Sequence, residues 1–164
     1  KTTLVNALKE LKQFKDYNFA TERSQHLMSL GIPLNTDSTL KGQTVFLAER
    51  CGELMHDKII TDRTILDVMA FTLNAKSIPY QDKESFEQYA SEFVREYDYI
   101  FYISPHGLEI EDNGVRETDE HYRDLIDFTI TTLIKRHGHK CNTIEKISGS
   151  TKERIQQILT ITGL

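Results

Sequence analysis

The residues in this chain with types suited to chemistry stand at the edges of apolar runs. Lys1-Thr2-Thr3 leads into a stretch where Leu4, Val5, Leu8 and Leu11 recur at helical spacing. That order is the closing half of a phosphate-binding loop, G-x-x-x-x-G-K-[ST]. In such a loop backbone N–H groups wrap the phosphates, the lysine reaches the outer ones and the hydroxyl binds Mg²⁺. A helix start there would also turn its dipole toward the anion. The competing reading is an ordinary polar N-cap, Thr2 or Thr3, ahead of a surface helix.

Three further apolar runs end in charge. Glu22-Arg23 follows Tyr17–Ala20, Asp62-Arg63 follows Lys58–Thr61, and Tyr99–Ile103 leads into the segment that holds Arg116. In open α/β sheets ligands sit beyond the carboxyl ends of strands, so these positions are read first. Asp62 is placed to hold Mg²⁺ directly or through water, with Arg63 gripping an anionic substrate group through its fork. Alternatively, Asp62 caps the next helix and Arg63 is a solvated charge. Glu22 is a candidate general base for a hydroxyl acceptor, with Arg23 beside it for substrate, or else a first-turn acid that suits the helix dipole. Arg116 and Arg123 flank an acidic turn and would bring cations onto a transferring phosphoryl group as a flap closes. Ion pairing of these arginines with Asp119, Glu120 or Asp127 competes with that role. Lys152-Glu153-Arg154 reads as a solvated helix face, or through Arg154 as a base-edge or ribose contact.

The elements that must position these groups alternate. Helical periodicity covers residues 4–15, 22–30, 40–55, 64–74, 83–95, 121–136 and 151–162. Strand patterns cover 17–20, 58–61, 99–103 and 143–147. Strands separated by helices predict parallel pairing with right-handed crossovers, hence a three-layer α/β/α sheet. A phosphate-binding loop needs a strand and a glycine turn before it, and nothing ahead of Lys1 supplies them. The 164 residues suit one domain with a substantial core.

Composition narrows the partners. A formal net charge of −5 argues against a non-specific grip on duplex DNA or RNA, which depends on clustered cations. A small anion held by local arginines remains compatible with it. Cys51 and Cys141 form no C-x-x-C pair and suit reduced thiols in a cytoplasmic protein, and the six histidines show no zinc spacing. No apolar run reaches the roughly 18 residues that cross a bilayer.

Taken in order, these segments resemble the P-loop nucleoside and nucleotide kinase group, most closely the AAA-type ATPase/kinase domains that include ribosylnicotinamide kinases. Lys1-Thr2-Thr3 matches the end of the Walker A loop, and Thr21-Glu22-Arg23 falls where that group carries an acid after its second strand. Thr61-Asp62-Arg63 with Asp67 is similar to its D-R-x-x-x-D segment, Gly114-Val115-Arg116 to the start of its arginine-bearing lid, and Ser150–Ile155 to its final helix. The resemblance implies Mg-ATP as phosphoryl donor, with Lys1, Thr2 and Thr3 at the phosphates and Thr2 and Asp62 at the metal. It implies Glu22 or Asp62 near the acceptor, Arg23, Arg63 and Asp67 toward substrate, and Arg116 and Arg123 as cations of a lid at about 105–123. The expected reaction is phosphoryl transfer to a small nucleoside or nucleotide. The alternative is an ATP-binding or ATP-hydrolysing switch module without such an acceptor.

Overall fold

A computed structural model describes residues 2–21, 24–105 and 120–164. In chain order it holds α1 (Thr2–Lys9), β1 (Asn18–Ala20), α2 (Ser24–Ser29), α3 (Leu40–Glu53), β2 (Ile59–Thr61), α4 (Ile65–Asn74), α5 (Tyr80–Ala90), β3 (Tyr99–Tyr102), α6 (Glu120–His137), β4 (Thr143–Lys146) and α7 (Thr151–Thr162). The expected mixed α/β alternation is present. Among the described residues the strands form two separate parallel pairs, β1 with β2 and β3 with β4. Phe19 lies opposite Ile60 in the first pair, and Ile100 opposite Ile144 in the second.

Helix boundaries follow local chemistry. α4 opens on a reciprocal capping box, Thr64 with Asp67, and α7 on another, Ser150 with Glu153. α7 stops at Gly163, whose φ of 72° is the left-handed conformation glycine adopts without a Cβ penalty. Two helices are shorter than their periodicity suggests. The stretch expected to be helical to residue 15 leaves the α form after Lys9 and makes a 3-10 turn at Lys12–Phe14. The stretch expected at 83–95 starts earlier, behind Pro79, and tightens to 3-10 at Ser91–Glu96. An apolar period survives that tightening, so period alone does not locate it.

Alternation along β3 feeds two apolar clusters. Ile100 joins the larger, built on Leu47, Ile65, Leu66, Met69, Ala90, Val94, Ile126 and Leu133. Phe101 and Ile103 join the smaller, where Leu4 and Leu8 of α1 meet Ile158 of α7, Ile147, and Phe19 and Ile60 of the other strand pair. Both strand pairs therefore share the smaller core. α4 is apolar nearly all round, with Ile65, Met69 and Ala70 at 0% exposure, which makes it the central helix of the larger core.

Polar contacts lock α5 to the end of α6. The Glu87 carboxylate accepts from Arg136 at 2.5 Å and lies 2.7 Å from His137 Nε2, while Lys140 donates to Ser91 at 2.8 Å and to Glu92 at 2.9 Å. Cys51 and Cys141 are both free, and burial raises both thiols. No helix among the described residues is long and apolar enough to cross a membrane.

Burial pushes the Glu87 carboxyl upward, but bonds from His137 and Arg136 outweigh it and hold it below its ordinary value of 4.5. A depressed folded pKa contributes stability that is complete above that ordinary value and is lost as pH falls through the lowered one. Denaturant titrations of wild type and Glu87→Gln should therefore diverge most above pH 4.5 and converge below it. A gap unchanged across that window would remove this carboxylate from the acid response.

Candidate active site

The carboxyl end of β2 meets the amino end of α1. Asp62 N donates to Ala20 O at 3.2 Å, which extends the β1–β2 ladder by one step and sets the Asp62 side chain at the strand end. There Thr2 Oγ1 donates to Asp62 Oδ2 at 2.9 Å, across sixty positions of chain. Asp62 is only 8% exposed, and its Oδ1 is buried with no hydrogen-bond partner among the described residues. A carboxylate half satisfied in a buried setting carries an unmet electrostatic demand.

The residues just after it are arranged differently. Asp67 accepts from Thr64 N at 2.8 Å, from Thr64 Oγ1 at 3.1 Å and from Arg63 at 3.3 Å. It thus closes the α4 cap and steadies Arg63. The Arg63 guanidinium lies 5.4 Å from the Phe71 ring centroid, a cation–π contact that holds it against α4. Thr64 is the N-cap, so the alternative that Asp62 caps this helix does not hold. Ile65 N donates to the Tyr97 hydroxyl at 3.2 Å, and burial, the larger influence, keeps that phenol well above its ordinary pKa.

Arg123 lies in the first turns of α6, with its Nε 3.5 Å from Asp124. Its neighbour Tyr122 packs on Phe71 at 6.4 Å between centroids, so the start of α6 touches the ring that carries Arg63. Arg154 lies within α7, with its Nε buried and without a hydrogen-bond partner among the described residues, which departs from the solvated face expected for it. Glu153 beside it is committed to the Ser150 cap, and those bonds lower its pKa. Thr3 belongs to α1. Lys1, Glu22, Arg23 and Arg116 lie outside the described residues, as does most of the expected lid.

The structure thus brings Thr2 and Asp62 together, and Arg63 with Asp67 beside them. One arrangement was not foreseen. Tyr102, at the end of β3, donates to Asp127 Oδ1 of α6 at 2.7 Å. Sequence offered only a strand tyrosine and a helix acid 25 positions apart, with no local pattern to link them.

A hydroxyl and a carboxylate oxygen are the hard donors that Mg²⁺ prefers, and the buried Oδ1 supplies a second oxygen at the same place. Among the described residues there is no cluster of three His, Cys, Asp or Glu side chains for a metal held by protein alone. Sparse protein ligation fits an ion that takes most of its ligands from phosphates and water.

A strand-end acid facing a helix-start hydroxyl, within parallel α/β pairs, is the layout of a P-loop NTPase-like domain. The AAA domain family matches residues 1–154, and the chain belongs to that family. Membership implies nucleotide binding of the P-loop NTPase type. No curated protein and no solved structure matches the chain.

The cap on α4 holds the segment that carries Asp62 and Arg63. Replacing Thr64 with Ala removes the hydroxyl from Leu66 N, 3.2 Å away, and should cost about 1 kcal/mol. Urea unfolding with an unchanged slope and a lower midpoint is the expected result. An unshifted midpoint would show that Asp67 and Tyr97 hold the helix start without it.

Proposed function

We propose that this domain transfers the terminal phosphoryl group of ATP to a small nucleoside or nucleotide in a Mg²⁺-assisted reaction. One observation carries the reading: the bond from Thr2 to Asp62, with the other carboxylate oxygen buried and unpartnered among the described residues. A bound Mg²⁺ would neutralise phosphate charge and keep the phosphoryl group in line for attack. Asp62 and Thr2 would hold that ion, Asp62 by its free oxygen and Thr2 by its hydroxyl oxygen, with Lys1 and Thr3 at the phosphates.

Other roles follow from residue type and place. Glu22 would orient or deprotonate the acceptor hydroxyl, with Arg23 and Arg63 on the acceptor's anionic or polar groups. Asp67 acts on the acceptor through Arg63, which it grips at 3.3 Å. Arg116 and Arg123 would be the cations of a lid at about 105–123, Arg116 closing with it and Arg123 at its fixed end, to neutralise charge and exclude water, and Arg154 would contact the nucleotide. In this reading residues 1–164 form one three-layer α/β/α domain, and the reduced thiols suit the cytoplasm.

The full chain incubated with labelled Mg-ATP and a panel of nucleosides and nucleotides tests this. Label on an acceptor is the expected result. Free phosphate alone would support instead a switch module that hydrolyses ATP, and no turnover of either kind would end the proposal. Asp62→Asn should lower Mg-dependent turnover by about 10²-fold or more while ATP binding without metal persists. Glu22→Gln should lower kcat far more than it changes the KM for ATP.

A further inference from the structure

The start of α6 is held from two sides. On one side Tyr102, at the last position of β3, donates its phenolic proton to Asp127 Oδ1 at 2.7 Å. On the other, Tyr122 packs against Phe71, whose ring lies under Arg63, next to Asp62 in the chain. Arg123 sits between these holds. It is one turn ahead of Asp127, on the same face of the helix and about 6 Å farther along its axis. A helix that returns between two parallel strands starts beyond the carboxyl end of the first, so Arg123's turn extends past β3.

We propose that Tyr102 and Asp127 are a positioning pair, whose hydrogen bond fixes the first turns of α6 so that Arg123 reaches the phosphoryl group at the Thr2–Asp62 site. This rests on the nucleotide reading given above and adds to it two residues that touch neither nucleotide nor acceptor. The chemistry suits a rigid tether. A phenol donating to a carboxylate makes a short, charge-assisted bond between a strand and a helix. Burial first, and then the bond to Asp127 and its charge, push the Tyr102 phenol up to about 12, while a hydroxyl bond from Ser104 opposes them. Tyr102 therefore remains a proton donor throughout the neutral range. A strand end and a packed helix are better supports for a reacting cation than a loop.

Loss of the tether acts on the transition state, where the arginine's charge is needed, more than on ground-state binding. Tyr102→Phe keeps the ring and removes one oxygen. In the full chain it should lower kcat about 10-fold and change the KM for ATP by less than about 3-fold. Asp127→Ala should match it, and Asp127→Asn, which keeps an acceptor oxygen, should recover most of the rate. The deciding measurement is a double-mutant cycle with Arg123→Ala. Once Arg123 is gone, Tyr102→Phe should cost less than about 2-fold more. Full additivity of the two losses, or equal damage from Asp127→Asn and Asp127→Ala with melting temperatures unchanged, would overturn the pairing while leaving the phosphoryl-transfer reading intact. Wild-type protein that turns over no nucleotide would overturn both.

Discussion

The arrangement of this domain depends on a single carboxylate placed where only half of it is satisfied. Asp62 sits in the interior at the end of β2, with Oδ2 held by Thr2 and Oδ1 given no partner among the described residues. Burying an acceptor without a donor costs on the order of 1–3 kcal/mol, more for a charged one. A chain optimised for stability alone would place a donor there or a neutral side chain. Asp67, five positions later, shows the contrast. It is buried to the same degree, yet three donors from Thr64 and Arg63 meet it. Two acids of one segment thus take different parts: one completes a helix, and the other holds an oxygen with no partner among the described residues.

The cost is tolerated because the surroundings are rigid. Immediately after Asp62 the chain enters α4, whose start is held by its capping box and by the Tyr97 hydroxyl, and whose body is the most buried among the described helices. Arg63 is pinned between Asp67 and the Phe71 ring. Movement of Asp62 toward water would drag this assembly out of a close-packed core, so the acid stays in place. The same packing carries the constraint outward, through Phe71 to Tyr122 and the first turns of α6.

Much of this was legible in local patterns. α4 and α7 were expected nearly to the residue from apolar period, and their capping boxes, Thr64 with Asp67 and Ser150 with Glu153, mark the same starts in the structure. Asp62 stood out as an acid after an apolar run. That it does not cap α4 was beyond local pattern, since Asp62 and Thr64 are both good capping types and only backbone geometry chose Thr64. The 3-10 segments at Lys12–Phe14 and Ser91–Glu96 keep an apolar rhythm that looks α-helical in sequence. Long-range partners were the least visible. Tyr102 with Asp127, Tyr97 with Ile65, and Glu87 with Arg136 and His137 each join residues more than twenty positions apart. Nothing in the local sequence records which carboxylate a phenol or guanidinium will meet.

Thr2, the first described residue of α1, uses its hydroxyl differently from the helix N-caps. Thr39, Thr64 and Ser150 each turn a hydroxyl back onto the N–H groups of the helix they begin, for α3, α4 and α7. Thr2 instead sends its hydroxyl proton out of α1 to a strand-end carboxylate. The amino end of a helix carries partial positive charge, which suits an acidic partner beside it. That same end would attract the phosphates of a nucleotide, and two anions cannot share it unaided. In the proposed reading a divalent cation would reconcile the demands, with Thr2 and Asp62 as its protein ligands. On that reading the Asp62 oxygen without a partner among the described residues would be the protein's share of a site that a bound nucleotide completes.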